Sequence, residues 1–258
     1  MTRVHFSHPY LLNPQHPITV NVVGAGGTGS QVVTSLSRID QALKAFEHPG
    51  LFVRVYDPDI VSRANVSRQL FSETDIGLNK AQCLVTRINR FFGNDWEAVP
   101  DCYPEDDSDQ SANFYISCTD NVQSRLQLDN LFKKVDRNSH TDYSTPLYWI
   151  DFGNAQKTGQ IILGTIKNIQ QPKSHKFTTV KKLPCVTEYV KGYDKIKDGD
   201  SGPSCSLAEA LDKQDLFVNS TLAHLGCSLL WKMFREGMIF HHGLYLNLDT
   251  MRVNPIAV

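Results

Sequence analysis

Residues 18–29, with the sequence ITVNVVGAGGTG, decide the fold class of this chain. The first six are mostly β-branched and predict a buried strand, whereas apolar positions after Thr28 recur at helical spacing as far as Phe46. Strand, glycine turn and helix form the first half of a βαβ unit. The turn satisfies G-x-G-x-x-G, in which bare backbone N–H groups at a helix N-terminus can hold a phosphate. The alternative is a packing turn that binds no ligand.

Strand and helix patterns alternate over the next hundred residues. Residues 51–56, 96–103 and 114–118 predict strands, and residues 79–92 and 121–135 predict helices. Alternation of this kind is typical of parallel sheets covered by helices on both faces. We therefore expect an α/β fold with a Rossmann-like, doubly wound, mainly parallel sheet, and ligand chemistry at the carboxyl ends of its strands.

The pattern changes after residue 140. Residues 147–152 and 160–166 are two apolar runs that predict a hairpin, and residues 244–253 predict a second one. Between the two hairpins lie residues 167–204, a polar stretch without clear periodicity, and residues 216–238, a strongly apolar helix. We expect an antiparallel C-terminal extension and a long, mobile crossover loop.

Composition and charge exclude several classes of protein. Hydrophobic residues make up 41% and charged residues 21% of the 258-residue chain, unlike a disordered or low-complexity protein. The 26 basic and 27 acidic residues give a net charge of -1, which favours neither nucleic acid nor an anionic membrane as partner. No stretch approaches the ~20 apolar residues of a membrane span, and the six cysteines include no C-x-x-C pair. We expect a cytoplasmic protein with no nucleic-acid or membrane partner.

Polar residues are dense in the segment after the second predicted strand. Asp57 ends that strand, where a carboxylate would accept hydrogen bonds from ribose, although it follows Gly24 by more than the usual ~20 residues. Asn65 and Arg68 would share one face of a short helix, and Lys80 could enter the same crevice. A triphosphate carries about four negative charges, and two cations with an amide suit its neutralisation.

Asp120 follows the fourth predicted strand, within the sequence SCTDN. A carboxylate at this end of a parallel strand can hold Mg²⁺ beside the phosphates of a nucleotide. The same position can instead cap the following helix. Position alone supports the two interpretations equally.

Four linked motifs carry a resemblance to a known family. They are GAGGTG, DPDIVSRANVSRQLF, DIGLNKA, and SCTDN with Arg125 after it, in order over residues 18–166. The chain resembles the superfamily of adenylating enzymes that includes ThiF, MoeB and the ubiquitin-activating enzymes. Two later stretches, PSCSLAEALDKQDLFVNSTLAHLG and LYLNLDTMRVNPI, are similar to the ThiF-related proteins of plasmid cassettes that also carry a ParB-related protein, the PRTRC system.

The resemblance implies ATP-dependent adenylation of a C-terminal carboxylate, with release of pyrophosphate. The acceptor would be a small ubiquitin-like or sulfur-carrier protein, and the cofactors would be ATP and Mg²⁺. Because the carboxylate itself attacks the α-phosphorus, the enzyme mainly positions reactants and stabilises charge. Relatives pair as twofold homodimers, so a homodimer is also implied.

The resemblance also assigns site residues by position. The glycines of the turn would hold the nucleotide, Asp57 its ribose and Asp120 the Mg²⁺ ion. Arg68, Lys80 and the amide of Asn65 would bind the phosphates, and Gln69 would support these residues. The implied nucleotide-binding set is Gly24, Gly26, Gly27, Gly29, Asp57, Asn65, Arg68, Gln69 and Lys80.

The chain departs from its relatives at two points. Relatives donate an N-terminal arginine to the ATP of a partner subunit, whereas only Arg3 precedes the glycine turn here. MoeB-like relatives also hold zinc with two C-x-x-C pairs, which this chain lacks, so we expect no zinc.

Members of the superfamily that form a thioester use a cysteine in the crossover loop. Cys185 and Cys205 lie in or beside this loop, and nearby lysines would supply the electropositive setting that activates a thiol. Either could instead be a small buried residue. With Arg68, Lys80 and Asp120, these cysteines complete the candidate catalytic residues.

We expect residues 1–258 to form a single ThiF-type adenylation domain. Its parts are an N-terminal arm (1–17), a nucleotide-binding half (18–139) and a carrier-binding half (140–258) containing the crossover loop (167–204). Two other functions fit fewer observations. A nucleotide-binding module without turnover fits the missing arginine motif. An NAD-dependent oxidoreductase fits the glycine turn and Asp57 but leaves the other polar residues unexplained.

Overall fold

A computed structural model describes residues 1–104, 110–134, 145–195 and 213–258. The strands within these ranges are β1 (Thr2–Phe6), β2 (Ile18–Val23), β3 (Leu51–Tyr56), β4 (Glu97–Val99), β5 (Phe114–Ser117), β6 (Tyr148–Asn154), β7 (Thr158–Thr165), β8 (Phe177–Thr179), β9 (Met238–Ile239), β10 (His241–Asn247) and β11 (Arg252–Ala257). The α-helices are α1 (Gly27–Ala45), α2 (Lys80–Phe92), α3 (Val122–Lys134), α4 (Val186–Tyr189) and α5 (Val218–Arg235). None of these helices is both long and apolar enough to cross a membrane.

An eight-stranded sheet forms the centre of the molecule, in the order β11-β10-β7-β6-β5-β2-β3-β4. Strands β4, β3, β2, β5 and β6 are parallel, and β7, β10 and β11 extend the sheet by antiparallel pairing. All six residues of β2 are buried, as expected for a central parallel strand covered on both faces. The mainly parallel α/β fold and its antiparallel extension are confirmed. The third predicted strand is shorter than expected, because only Glu97–Val99 pairs with β3.

Helices cover the sheet on both faces, so the sheet is doubly wound. On one face α1, α2 and α5 enclose the larger apolar core, with buried positions such as Val32, Leu84 and Leu222. On the other face α3 and α4 enclose a second core that includes Leu128 and Trp149. The carboxyl ends of the parallel strands stay uncovered at one edge of these layers, where ligands bind in such folds.

The predicted crossover loop is more ordered than the sequence indicates. Within residues 167–195, β8 pairs in parallel with β1. Strand β9, much later in the chain, pairs with the other edge of β1 and completes a separate three-stranded sheet. Ile169 and Leu183, which belong to the same segment as β8, are fully or almost fully buried. The sequence did not indicate this strand or these buried positions, because isolated apolar residues give no periodicity. The remainder of the predicted loop, residues 196–204, lies outside the described ranges.

A buried histidine fixes the N-terminal strand to the main sheet. His5 Nδ1 donates to the Val180 carbonyl at 2.7 Å, and its Nε2 accepts from the Tyr148 hydroxyl at 3.0 Å. The same hydroxyl accepts the His8 N–H at 3.0 Å. Both ring nitrogens are therefore used by the neutral imidazole, and burial lowers the pKa of His5.

This arrangement predicts an acid-sensitive fold. Burial also lowers the pKa values of His48 and His242, so the unfolded chain binds more protons than the folded chain just below pH ~6.5. The free energy of unfolding should fall as the pH is lowered through that value, measured by urea titration at about pH 7.5 and 5.5. His5→Gln should reduce the fall, whereas His224→Gln, at an exposed helix position, should not. Equal stability of the wild type at both pH values would contradict the prediction.

Candidate functional site

A cavity of about 1180 Å³ opens at the carboxyl ends of β2, β3, β5 and β6. It brings together most of the site residues predicted from the sequence, which come from five separate segments. Those that line it are Gly24, Gly26, Gly27, Asp57, Asn65, Arg68, Gln69, Lys80 and Asp120. Gly29 and Cys185 do not line it, and Cys205 lies outside the described residues.

The glycine turn joins β2 to α1 at the floor of the cavity. Gly24 has a φ of +97°, a conformation that glycine adopts without strain. Gly26 is the N-cap, and α1 begins at Gly27, so the first turn of a long helix borders the cavity. The unpaired N–H groups and the dipole at a helix N-terminus favour an anion at this position.

Asp57 supports the glycine turn from the neighbouring strand. Its Oδ2 accepts the Ala25 N–H at 2.6 Å, and its Oδ1 accepts the Asp59 N–H at 2.9 Å. Burial raises the pKa of Asp57, and the Ala25 N–H and the Lys80 charge oppose this rise. Because each oxygen is held by a backbone N–H, the structure gives Asp57 a bracing role. Its contact with ribose stays a prediction.

The sequence predicted that Asn65 and Arg68 lie on one short helix, but the structure does not place them on the same helix. A 3₁₀ turn covers Arg63–Asn65 and ends there, because Val66 is extended and Ser67 has a φ of +69°. Asn65 Oδ1 closes this turn by accepting the Ser62 N–H at 2.9 Å. Both predicted residues still line the cavity, since the chain bends back between them.

Arg68 and Gln69 carry buried polar atoms that have no hydrogen-bond partner among the described residues. These atoms are Arg68 Nε and Gln69 Oε1. Arg68 Nη1 donates to the neutral Gln214 Oε1 at 2.8 Å, so no carboxylate pairs with its charge in that contact. Burial lowers the pKa of Arg68, although a guanidinium stays protonated in proteins. Because unpaired buried polar atoms are costly, these two mark a place where a ligand would bind.

Lys80 is the second cation of the cavity. The residue is 8% exposed, and its Nζ donates to Asp59 Oδ2 at 2.8 Å. The Lys80 N–H also donates to the Asp59 carbonyl at 2.9 Å, which fixes the start of α2 beside the glycine turn. Asp59 was not predicted as a site residue, although it stands two positions after Asp57 in the same motif.

Asp120 is not the cap of the helix that follows it. Asn121 Oδ1 accepts the Ser124 N–H at 2.8 Å and so caps α3. Asp120 is exposed at the cavity, on the side formed by the end of β5. Of the two interpretations of this carboxylate, the capping role is wrong, and the Mg²⁺ role stays a prediction.

A buried ion pair forms the wall behind Asp120. Arg125 Nε donates to Asp151 Oδ1 at 2.6 Å, and Arg125 Nη2 donates to the Phe152 carbonyl at 2.9 Å. Burial would lower the pKa of Arg125, but the Asp151 carboxylate outweighs it and the pKa is raised. Since the pair holds α3 against the end of β6, we assign it a supporting role.

A chain of amide side chains that was not predicted from the sequence lines the other wall of the cavity. Asn219, which is 1% exposed, accepts from the Thr28 hydroxyl at 2.9 Å and donates to Gln214 Oε1 at 2.9 Å. Asn154 donates to Asn219 Oδ1 and, at 3.1 Å, to the Thr28 hydroxyl. One signal for these residues was available: Asn219 is a polar residue on the buried face of the apolar helix α5.

The cavity continues over the antiparallel part of the sheet. Gly153, Gln160, Tyr245 and Asn254 pair across β6, β7, β10 and β11 in one row, and all four line the cavity. The row contains no charged side chain, in contrast to the half of the cavity around Arg68. The cavity thus has a charged half and a neutral half.

The structure does not support Cys185 as a nucleophile. The residue is 6% exposed, and its thiol donates to the Thr165 carbonyl at 3.7 Å. Burial raises the pKa of this thiol, and the Glu188 carboxylate adds to the rise. A nucleophilic thiol needs the opposite conditions, so Cys185 is a packing residue here. In the described residues there is also no group of three or more His, Cys, Asp or Glu that could hold a metal ion.

Comparison with known proteins gives one family and a set of similar solved structures. The model of the ThiF family matches residues 16–228. The crystal structure of selenomethionine PaaA is 15% identical with a TM-score of 0.58, and the match covers 93% of this chain and 64% of that chain. The crystal structure of MccB from E. coli is 17% identical with a TM-score of 0.57, covering 96% of this chain and 63% of that chain. MccB with ATP is 16% identical with a TM-score of 0.56, covering 96% and 64%.

These solved structures support the fold alone, since sequence identity is low. The chain spans less than two thirds of the length of each of them. Comparison with curated proteins gives no significant match. The family match, by contrast, extends over most of the chain and contains every segment that lines the charged half of the cavity. The chain therefore belongs to the ThiF family.

Proposed function

We propose that this protein uses ATP to adenylate the C-terminal carboxylate of a small ubiquitin-like or sulfur-carrier protein. The observation that carries the proposal is the meeting of Arg68, Lys80 and the N-terminus of α1 in one cavity. All three favour negative charge, and Arg68 Nε lies buried without a partner among the described residues. A triphosphate matches this set better than the two phosphates of a dinucleotide.

The neutral half of the cavity supports an extended chain end as the second substrate. Gln160 and Asn254, which line this half, offer amide groups that can pair with peptide N–H and C=O groups. In this arrangement the carboxylate would approach the α-phosphorus from the antiparallel half. MccB, which shares the fold, has been solved together with AMPCPP and MccA.

The proposed reaction requires little covalent chemistry from the protein. A carboxylate oxygen forms a bond to the α-phosphorus, the bond from that phosphorus to the bridging oxygen breaks, and pyrophosphate leaves with the electron pair. Arg68 and Lys80 would stabilise the charge on the leaving group. Asn65 and Gln69 would orient the phosphates, and the glycine turn would hold the nucleotide close to the sheet.

The residues that would hold Mg²⁺ in this proposal are carboxylates that line the cavity. Asp120 is exposed there, and Asp59 is the other carboxylate whose oxygens are not both held by backbone groups. Hard oxygen ligands of this kind suit Mg²⁺, which would shield the phosphates when bound. Asp120 would hold the ion in this proposal.

The finer parts of the proposal rest on the family resemblance. They are a homodimer, a cytoplasmic location, membership of the plasmid-cassette subgroup, and a thioester step for which Cys205 is the remaining candidate. Light scattering tests the first of these, since a monomer at working concentration would contradict it.

Calorimetric titration with Mg²⁺-ATP and, separately, with NAD tests the nucleotide. We expect Mg²⁺-ATP to bind, Asp120→Ala to weaken that binding with the melting temperature unchanged, and NAD not to compete. Asp95→Ala, at an exposed position outside the cavity, is the matched control. Binding of NAD without Mg²⁺-ATP would favour the oxidoreductase instead.

Pyrophosphate release tests turnover. A small carrier protein that ends in glycine should stimulate release, and the same protein with a C-terminal carboxamide should not, because only the carboxylate can attack. ATP binding without release for any carboxylate would favour a nucleotide-binding module that has lost turnover.

A further inference from the structure

Gln214 lies where the chain returns to α5, and it touches the cation that the proposed function places on the phosphates. Its Oε1 accepts from Arg68 Nη1 at 2.8 Å and from Asn219 Nδ2 at 2.9 Å. Gln214 itself lines the cavity. A residue far along the chain from the phosphate-binding motif therefore fixes one edge of the Arg68 guanidinium.

Asn219 connects this contact to the glycine turn. Its Oδ1 accepts from the Thr28 hydroxyl at 2.9 Å, and Thr28 stands in the first turn of α1. Asn154, at the end of β6, donates to the same oxygen. Asn219 is 1% exposed and lies on α5, which packs against α1, so the centre of the network is buried.

The chemical nature of the support matters. A guanidinium is most often paired with a carboxylate, which gives strong bonds but cancels the charge. An amide oxygen accepts the same hydrogen bond and leaves the full positive charge for the ligand. Arg68 Nε, buried without a partner among the described residues, then remains available as a further donor.

We propose that Gln214 is a positioning residue of the nucleotide site, which orients Arg68 toward the phosphates while keeping its charge unpaired. This inference rests on the proposed function, because it needs Arg68 to bind phosphate. It adds a residue that lies just before α5 to the phosphate-binding residues, which all come from the first half of the chain.

Gln214→Glu tests the role of charge, since it keeps the shape and the acceptor and adds one negative charge. Calorimetric titration with Mg²⁺-ATP, Mg²⁺-ADP, AMP and adenosine should show affinity for Mg²⁺-ATP reduced by about 10- to 100-fold. The loss of affinity should be smaller for Mg²⁺-ADP and smaller again for AMP. Adenosine, which has no phosphate, should bind with unchanged affinity. Gln15→Glu adds the same charge at an exposed residue outside the cavity and should leave all four affinities unchanged. An equal loss for all four ligands would indicate a structural defect and overturn the proposal.

A double-mutant cycle tests whether Gln214 acts through Arg68. Gln214→Leu should weaken Mg²⁺-ATP binding in the wild-type background and have little further effect in Arg68→Ala. Additive losses would overturn the positioning role. If the wild type does not bind Mg²⁺-ATP, the proposed function itself fails; if it binds and both Gln214 variants bind equally well, only this inference fails.

Discussion

Arg68→Ala is expected to weaken Mg²⁺-ATP binding and carrier-dependent pyrophosphate release by about 30- to 1000-fold, or ~2 to 4 kcal/mol. The side chain is held by the neutral Gln214 at 2.8 Å, and its Nε is buried without a partner among the described residues. No carboxylate among the described residues forms an ion pair with this guanidinium, so its charge is available to a ligand in the cavity. Truncation removes that charge and leaves the ligand phosphates facing an uncharged gap.

Arg63→Ala is the matched control for this substitution. Arg63 lies five residues earlier in the same motif, but its side chain is 78% exposed and pairs with Glu73 at 3.7 Å. Surface pairs of this kind contribute little, so ATP affinity and melting temperature should stay near those of the wild type. The Mg²⁺-ATP affinity of Arg68→Lys should lie between those of Arg63→Ala and Arg68→Ala, because lysine keeps the charge but lacks the planar guanidinium. Equal losses for Arg63→Ala and Arg68→Ala would show only a general dependence on net charge.

The sequence was sufficient to predict most of the fold, for a physical reason. In the centre of the parallel half β2 and β5 are buried on both faces, and the long helices beside them have apolar stripes. Local hydrophobic periodicity in the sequence therefore indicates where these elements lie in the fold. The crossover segment has no such periodicity. Strand β8 is three residues long and exists because β1 and β9 complete a small sheet with it. Pairing between the N-terminus and residue 177 cannot be seen in a local pattern.

Site residues could be predicted from the sequence where they lie in short motifs that the fold brings to the cavity. Arg68, Gln69 and Lys80 lie in linked motifs, and all three line the cavity. Gln214 and Asn219 were missed because they act through contacts over a separation of more than a hundred residues. Cys185 was a candidate because Lys181 and Lys182 precede it along the chain, but its thiol is turned inward against Thr165, so the structure does not support it as a nucleophile.

Gly29 and Gly26 of the turn differ in how closely other atoms approach them, and alanine substitutions should distinguish the two positions. A β-carbon at Gly29 would collide with the carbonyl oxygen of Gly24 and lie 2.8 Å from its carbon, and backbone cannot move aside as a side chain can. Gly29→Ala should therefore cost more than about 4 kcal/mol of unfolding free energy, although alanine within a helix normally gains ~0.5 to 1 kcal/mol. Urea titration measures the loss, and stability equal to the wild type would contradict the close packing of β2 and α1.

Gly26 has no such packing reason to be glycine. A β-carbon there would meet only Gln69 Nε2 at 3.9 Å, which is ordinary van der Waals contact. Gly26→Ala should thus unfold within about 1 kcal/mol of the wild type. The added methyl group would stand at the N-terminus of α1, where the backbone must approach a phosphate closely, so Mg²⁺-ATP affinity should fall by about tenfold or more. A stable Gly26→Ala protein that binds Mg²⁺-ATP as the wild type does would mean that the turn serves packing alone.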